Sequence, residues 1–435
     1  MRTRICLSGL LMCLCWACNN IEDAKPENRS TFIRFYEAAH NVYGITAEET
    51  EGGYVILGNE SLANGSQNIL FIQTDAHGDR LTDDVVLPGG QAKALKVATD
   101  GYYIVGDSIK SNLESSDVSV YDLVVYSARL FKLNLTGTLV KKVVIADRTN
   151  TTNITDIHGG SVTLSDQNEV IVLGSFKTAG LSTTEHPYLV ALDPSNLDTL
   201  WYKTYDVLDR DYVNSKSVHV APSGKVIWAT ALLKENQNFS RSYLGIPYIQ
   251  QNSTFENFSQ FGEGTDQQLY ANDIQPSESV AFGYGVIGTY ASPTGANGNM
   301  FFIRVNQQGN IIEGSDRYFD GERFLTGNGS VDAGVSSSDD TGDALISTRD
   351  GGFILAGSVQ TTPNLGKGGK DILLIKIDSQ GNVLWHKVMG GAGNETVNSI
   401  RETADGGLLL CGSNDVSGLS SIFIMKTDSN GELNN

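Results

Sequence analysis

The side chains that could carry catalysis or bind a metal are widely spaced in this sequence. No pair of histidines has the HxH or HExxH spacing that would place two imidazoles on one metal ion. No GxSxG nucleophile motif, phosphate-binding loop or GxGxxG turn is present either. The chain has 50 Asp and Glu residues, but nothing in the sequence selects a pair of them for glycoside cleavage or lyase chemistry. We therefore expect a non-enzymatic protein, with a polysaccharide-degrading glycosidase or lyase as an alternative.

One acidic loop is a candidate calcium site. The stretch "SSSDDTGD" contains Asp339, Asp340 and Asp343, and carboxylate oxygens are the ligands that Ca²⁺ prefers. The "DAHGD", "DSQGN" and "DSNGE" turns also collect oxygens around a glycine, but none continues into a 12-residue loop with a terminal Glu. We interpret those three as hairpin turns. No other cofactor is expected.

Two segments combine aromatic residues with arginines. The first contains Phe239, Arg241 and Tyr243; the second, "DRYFDGERF", contains Arg317, Tyr318, Phe319 and Phe324. If exposed, such groups would form a protein interface or a platform on which sugar rings stack. The alternative is that several of these aromatics belong to buried strands.

The charge of the chain limits its partners. The formal net charge is −19. A field of that sign disfavours nucleic acids and anionic lipid surfaces, while it keeps an exported protein soluble.

The N-terminus predicts export and lipidation. Arg2 and Arg4 precede an apolar run, Ile5 to Ala17, whose 13 residues suit a signal peptide and are too few to span a bilayer. Because Cys18 follows a small residue, the segment resembles a bacterial lipoprotein signal that is cut before a lipidated cysteine. The alternative is an ordinary secretory signal. We expect residues 1–17 to be removed, Cys18 to carry the lipid, residues 18–30 to form a flexible tether and residues 31–435 to fold.

The expected location is the outer membrane. The acids Glu22 and Asp23 after Cys18 are similar to signals that send Bacteroidetes lipoproteins to the cell surface, so surface exposure is favoured over the periplasmic face. With Cys18 lipidated, Cys411 is the only remaining cysteine of the mature chain, so no internal disulfide is expected. We interpret Cys411 as a small buried apolar residue.

A repeated apolar run organises the rest of the chain. Seven copies begin near Gly52, Gly101, Asn168, Gly224, Gly283, Gly351 and Gly406. Their spacing of 49 to 68 residues accommodates four short strands with their turns. A second apolar run follows most copies and is almost continuously hydrophobic, which indicates a sheet packed on both faces. Blades of a β-propeller meet this condition.

The last copy stops half way, soon after "SIFIMKTDSNG", while residues 30–50 precede the first copy without an opening strand of their own. If strands from the two ends share one blade, the ring closes and no sheet edge stays exposed. We therefore predict an all-β, seven-bladed propeller closed by the N-terminal strands. Six or eight blades also fit, because the fourth and fifth copies are degenerate.

The segment "DGGFILAGS…DILLIKIDSQGNVLWHKVMGGAGNETVNSIRETADGG" resembles the repeat of uncharacterised Bacteroidetes propeller lipoproteins and type IX-secreted proteins. In those proteins a "DGGYIVAGST" strand alternates with a "KLDSSGNIVWQKSLGG" hairpin. The resemblance is strongest over Asp343 to Gly431. It implies a propeller on an exported protein and no single activity.

Two triplets are similar to the Asp-Ser/Thr-apolar acceptor of Bacteroidetes O-glycosylation. They place candidate glycans on Ser108, in "DSI", and on Thr199, in "DTL".

These features together favour a lipoprotein whose acidic propeller binds a protein of the cell envelope. A glycan-binding lipoprotein of a nutrient-uptake system is an alternative, and it requires a row of exposed aromatics. The enzyme alternative requires carboxylates, or His with Tyr or Arg, to meet at one end of the central channel.

Overall fold

A computed structural model describes residues 31–110, 125–145, 154–178, 185–205, 211–221, 223–236, 239–250, 255–262, 268–278, 283–291, 298–321, 324, 339–360 and 368–434. The predicted cleavage site, Cys18 and the tether lie outside these residues, as does the part of the acidic loop that precedes Asp339. Within them, the chain forms 28 strands.

The strands in chain order are β1 (Phe32–Tyr36), β2 (Asn41–Thr50), β3 (Gly53–Ser61), β4 (Gln67–Asp75), β5 (Val85–Pro88), β6 (Gln91–Ala98), β7 (Gly101–Lys110), β8 (Val125–Leu133), β9 (Leu139–Val144), β10 (Ile154–Leu164), β11 (Val170–Thr178), β12 (Glu185–Leu192), β13 (Thr199–Thr204), β14 (Asp211–Val220), β15 (Lys225–Asn236), β16 (Phe239–Gln250), β17 (Phe255–Phe261), β18 (Gln268–Pro276), β19 (Tyr284–Ala291), β20 (Gly298–Val305), β21 (Arg317–Phe319), β22 (Thr341–Ser347), β23 (Phe353–Gln360), β24 (Lys370–Ile377), β25 (Val383–Met389), β26 (Asn394–Glu402), β27 (Leu408–Val416) and β28 (Leu419–Thr427).

The strands pair into a β-propeller arrangement. Five sheets have four strands each, in the orders β2-β3-β4-β5, β6-β7-β8-β9, β10-β11-β12-β13, β14-β15-β16-β17 and β18-β19-β20-β21. An eight-stranded sheet contains β22 to β28 together with β1. The prediction of an all-β propeller is thus confirmed.

The middle strands are hydrophobic throughout because both faces of each sheet are covered. In β3, the neighbouring residues Ile56 and Leu57 point to opposite faces, and both are fully buried. Ile56 packs in one core cluster and Leu57 in the next. Near-continuous apolar runs therefore indicate sheets packed between neighbours, as the sequence predicted.

The two ends of the described chain meet in one sheet. Strand β1 pairs antiparallel with β28, from Phe32 opposite Lys426 to Tyr36 opposite Ile422. The Tyr36 hydroxyl donates a 2.7 Å hydrogen bond to the Gly78 carbonyl of the first four-stranded sheet. The predicted closure by an N-terminal strand is confirmed by this pairing.

The polar residue that follows the repeat glycine links one sheet to the next. The side-chain oxygens of Asn59, Asp107, Thr289 and Ser413 accept hydrogen bonds from backbone N–H groups on the innermost strand of the following sheet. The glycine before this residue is required by close packing. At Gly412, for example, an added Cβ would lie 1.9 Å from the Thr396 carbonyl oxygen.

The "DGG" motif is likewise structural. Its aspartate accepts a hydrogen bond from a lysine on the third strand of the same sheet, as in Asp350 with Lys376 (2.7 Å) and Asp405 with Lys426 (2.9 Å). The first glycine of the motif has a positive φ that a turn at this point needs, 82° at Gly406. The motif therefore fixes a turn.

Candidate functional site: the central cavity

The innermost strands share an irregularity. Each of β2, β6, β10, β18, β22 and β26 skips one residue at a matching point of its pairing with the next strand, which is the pattern of a β-bulge; β10 has a further shift near its start. The skipped residues are Ile45, Lys93, Gly160, Asn272, Asp343 and Asn398. All six line one cavity of roughly 920 Å³. The bulges thus place these six residues on the wall of the cavity.

The cavity is polar. Its lining residues come from β2, β6, β10, β14, β18, β22 and β26 and from the ends of neighbouring strands. They include four Lys or Arg residues, five Asp or Glu residues and two histidines. Among the described residues that line the cavity there is no Phe, Tyr or Trp. The cavity therefore offers hydrogen bonds and charges of both signs, without a stacking surface.

Asp107 and His158 form the most specialised contact on the cavity wall. Asp107 Oδ2 lies 3.0 Å from His158 Nδ1, and Asp107 Oδ1 accepts a 2.6 Å hydrogen bond from the Gly159 backbone N–H. Lys93 Nζ lies 3.6 Å from the same carboxylate and donates to Gln91 Oε1. Because Asp107 is only 3% exposed and doubly held, it fixes the orientation of the imidazole.

Further charged pairs line the wall on either side. Lys177 lies 3.1 Å from Glu185, whose other oxygen accepts from the Ser175 hydroxyl. On the opposite side, Arg401 Nε donates a 2.7 Å hydrogen bond to Glu48. Most cavity charges are thus paired with a neighbour.

Asp273 is a buried acid in the same cavity. Its carboxylate accepts hydrogen bonds from the Leu345 backbone N–H and from Gln275 Nε2. Burial raises the pKa of the Asp273 carboxyl, since desolvation disfavours the charged form.

A ring is formed by the side chains that lie two residues beyond the point where pairing resumes on each innermost strand; on β14, pairing resumes at Ser217 after a longer shift. Alternation along a strand places these residues on the same face as the residue where pairing resumes, so they point toward the cavity. The members that line it, called here the inner ring, are Glu48, Lys96, Thr163, His219, Gln275 and Arg401. Burial, together with the charge of Lys96, lowers the pKa of His219 to about 4, although the charge of Asp166 acts in the opposite direction. His219 is therefore a neutral imidazole at neutral pH.

This arrangement can bind a polar ligand of moderate size. It also contains a positioned His–carboxylate pair, which is the minimum for general acid–base chemistry. The described residues place no group of three His, Cys, Asp or Glu side chains in a geometry that could hold a metal ion.

The predicted aromatic site is wrong for the three aromatic residues whose side chains are described. Tyr318, Phe319 and Phe324 are all buried, with Phe319 fully so. Phe319 and Phe324 pack in a core cluster between two sheets, and the Phe324 ring lies 4.8 Å from that of His386. These residues serve packing because they lie against the neighbouring sheet. The row of exposed aromatics that a glycan platform requires is not found among the described residues.

The other members of that prediction have different positions. Arg317 is half-buried, and its guanidinium donates to the carbonyls of Gly314 and Gln380, so it joins two sheets. Phe239, Arg241 and Tyr243 belong to β16, where their side chains fall outside the described part of the structure. Their role in binding stays a prediction.

The three carboxylates of the predicted calcium loop are held apart by different partners. Asp339 forms a 3.2 Å ion pair with Lys370. Asp340 is fully buried and accepts hydrogen bonds from two backbone N–H groups, those of Gly321 and Gln360. Asp343 accepts from the Thr341 hydroxyl and lines the cavity. Among the described residues they do not form one cation site, and calcium binding stays untested.

The predicted glycosylation sites differ from each other. Ser108 is 2% exposed and shares a 2.9 Å hydrogen bond with Ser127, so no glycan fits on it in the folded protein. Thr199 begins the outer strand β13 and is half-buried, and its modification stays a prediction.

One signal in the sequence points to the missed site. At the position after the repeat glycine, the aligned residues include Asn59, Asp107, Ser175, Thr289 and Ser413, and Asp107 alone is charged. A charged residue at a repeat position that is otherwise neutral indicates the part of the cavity wall where His158 lies.

Comparisons with known proteins add only a general likeness of fold. No protein-family model and no curated protein matches the sequence. Solved structures that are similar include a protein of unknown function from Dyadobacter fermentans (8% identity, TM-score 0.48, covering 78% of this chain and 95% of that one). A Trypanosoma rangeli sialidase in complex with the inhibitor DANA matches at 8% identity and TM-score 0.44, covering 90% of this chain. This chain spans only 55% of that sialidase. A putative 6-phosphogluconolactonase from Bacteroides uniformis matches at 12% identity and TM-score 0.40, covering 88% of this chain and 95% of that one.

The described part of the chain contains no helix with the length and hydrophobicity needed to cross a membrane.

Proposed function

We propose that this protein is a non-enzymatic outer-membrane lipoprotein with a seven-bladed propeller that binds a protein of the cell envelope. A polar segment of the partner enters the central cavity. The lipid on Cys18 and a tether of roughly a dozen residues keep the ring at the membrane while it engages the partner. Exposure at the cell surface is favoured over the periplasmic face.

The strand pairing supports a count of seven blades. The eight-stranded sheet consists of two antiparallel groups, β22 to β25 and β26 to β28 with β1. One parallel residue pair, Lys370 with Asn394, connects the groups. Each group has the four strands of the other five sheets, and each contributes one innermost strand to the cavity.

The polar cavity is the observation on which this function rests. Its roughly 920 Å³ fall within the range of ligand sites in proteins. Oppositely charged pairs such as Arg401 with Glu48 and Lys177 with Glu185 suit the mixed charges of a protein segment. The absence of Phe, Tyr and Trp from its described lining removes the stacking contacts that a sugar ligand would use.

The test is affinity purification from native membranes in mild detergent, followed by mass spectrometry. We expect a stoichiometric envelope protein to co-purify with the native chain. The yield of partner should fall with His158→Gln, which alters the cavity wall, and should not fall with His77→Gln, which lies in an exposed turn. A Cys18→Ala chain serves as the unlipidated control. Isolation of the protein alone, or equal recovery with both histidine variants, would contradict the proposal.

The pair Asp107–His158 favours one second candidate, an enzyme that uses general acid–base chemistry on a polysaccharide. An imidazole held by a buried carboxylate could move a proton at a bound substrate. Reducing-end assays on envelope polysaccharides separate the two candidates. Turnover that disappears in His158→Gln would establish the enzyme, and a rate equal to the background with the native chain would exclude it for those substrates.

A further inference from the structure

Three side chains of the inner ring have polar partners within the protein, and three have none among the described residues. Arg401 and Glu48 bind each other, and Gln275 donates to Asp273. In contrast, Lys96, Thr163 and His219 make no side-chain hydrogen bond or ion pair with any described residue. These three side chains come from β6, β10 and β14, which are the innermost strands of three consecutive sheets. One arc of the cavity wall thus presents polar groups that no described side chain or backbone group engages.

Lys96 is the charged member of this arc. It is half-buried, lines the cavity and forms no ion pair with a described residue, in contrast to Lys93 on the same strand, which lies 3.6 Å from Asp107. A partly desolvated ammonium without a partner is costly, and an anion at that place would offset the cost.

Thr163 and His219 add hydrogen-bond donors to the same cavity, on the innermost strands of the two sheets that follow the sheet of Lys96. The groups that face His219 are Lys96 on β6, Asp166 in the turn after β10, and the Tyr284 ring on β19, whose centroid lies 5.8 Å from the imidazole. Because Lys96 and burial keep the imidazole neutral, it has one N–H to donate, and the Thr163 hydroxyl has another. An ammonium, a hydroxyl and an imidazole N–H together match the acceptor oxygens of a small oxyanion.

We propose that Lys96, Thr163 and His219 form a subsite for a carboxylate group of the ligand that occupies the central cavity. This subsite deepens the proposed function and rests on the cavity being the ligand site. The net charge of −19 repels anions at long range. The subsite therefore attracts an anion only at short range, and the carboxylate it binds belongs to a larger ligand that has entered the cavity.

The experiment follows the His219 ring by NMR during a pH titration, with the resonance assigned through His219→Gln. Acetate is compared with chloride at equal ionic strength, and the concentration of ionised acetate is held constant through the titration, because acetic acid is itself partly protonated at about pH 4. Since a bound anion favours imidazolium, we expect acetate to raise the pKa of His219 by about one unit or more in the native chain. The same response is expected in Lys93→Met, the matched control in which a paired cavity lysine is removed.

In Lys96→Met the pKa of His219 should rise without any anion, because a nearby positive charge is gone, and acetate should have no further effect. An unchanged His219 titration in acetate with the native chain, or an equal response in Lys96→Met, would overturn the proposal. Sulfate and phosphate in place of acetate determine which oxyanion the subsite takes; a response to them alone would contradict the assignment of a carboxylate.

The outcomes separate the subsite from the wider function. A response to acetate without a co-purifying partner would support the subsite and contradict the protein partner. A partner that co-purifies equally with the native chain and with Lys96→Met, without any response to acetate, would leave the function standing and exclude the subsite.

Discussion

Asp107 and His158 are 3.0 Å apart across the boundary between two sheets, and the same carboxylate accepts the Gly159 backbone N–H. One side chain thus joins two sheets and orients a cavity imidazole. At the equivalent position of the first sheet, the neutral Asn59 joins two sheets but orients no imidazole, since its Oδ1 accepts a hydrogen bond from the Ala92 backbone N–H.

This double role predicts different effects for two substitutions at Asp107. Asp107→Ala leaves a buried N–H without its acceptor and should lower the free energy of unfolding by about 1–3 kcal/mol. Asp107→Asn keeps an acceptor, as Asn59 does, and should cost less than about 1 kcal/mol. Urea unfolding measures both. Equal losses would show that the hydrogen bond to Gly159 does not contribute as described.

Closure of the ring by β1 predicts a contrast between neighbouring residues. Tyr36 is buried and donates to the Gly78 carbonyl, whereas the adjacent Phe35 is 51% exposed. Tyr36→Ala should destabilise the protein by about 3–5 kcal/mol, the usual cost of removing a buried aromatic side chain. Phe35→Ala should change stability by less than about 1 kcal/mol. Similar effects of the two variants in thermal unfolding would contradict the pairing of β1 with β28.

The "DGG" motifs predict a loss of stability in acid. Burial opposes ionisation, but hydrogen bonds from Lys426, Thr403 and the Gly407 N–H lower the pKa of Asp405 from 3.8 to about 2. A carboxyl whose pKa is depressed by folding adds stability above the unfolded value, and this contribution is lost as the pH falls from about 4 to about 2. Urea unfolding between pH 5 and pH 2 should show a shallower slope for Asp405→Asn than for the native chain. Parallel slopes would exclude this contribution.

His219 predicts a second dependence at higher pH. Its pKa falls from 6.5 in the unfolded chain to about 4 in the folded one, so the unfolded state takes up the proton first. Stability is therefore full above about pH 6.5 and decreases as the pH falls to about 4, by about 3 kcal/mol in all. His219→Gln should remove this decrease. If the native chain and the variant lose equal stability between pH 7.5 and pH 4.5, the half-buried imidazole does not have the lowered pKa described.

The fold was predictable from the repeat, because the apolar runs and glycine turns of each copy indicate buried strands and a turn without any knowledge of the rest of the chain. The runs around Ile56 and Leu373 are apolar on both faces, which a propeller explains and a half-exposed sheet does not. Closure was predictable for the same reason, since the last copy lacks strands that the N-terminus can supply.

Apart from the charge of Asp107 at an otherwise neutral repeat position, the site was not predictable, because it depends on pairing offsets between strands. Nothing in the sequence shows that Lys93 and Asn272 are skipped in their ladders and therefore turn into the cavity. The prediction that these aromatic side chains are exposed was wrong for a related reason. Phe319 and Phe324 follow an exposed-looking polar loop, yet tertiary packing buries them against the next sheet.

The central claim is that a protein segment occupies the cavity, and site-specific photocrosslinking in native cells tests it most directly. A photoreactive residue replaces Asp343, on the cavity wall, and in a control chain it replaces Leu384, which is 57% exposed on the outer strand β25. We predict one crosslinked envelope protein from position 343, identified by mass spectrometry and absent from position 384. No crosslink from the cavity position, or the same crosslinked species from both positions, would contradict the claim.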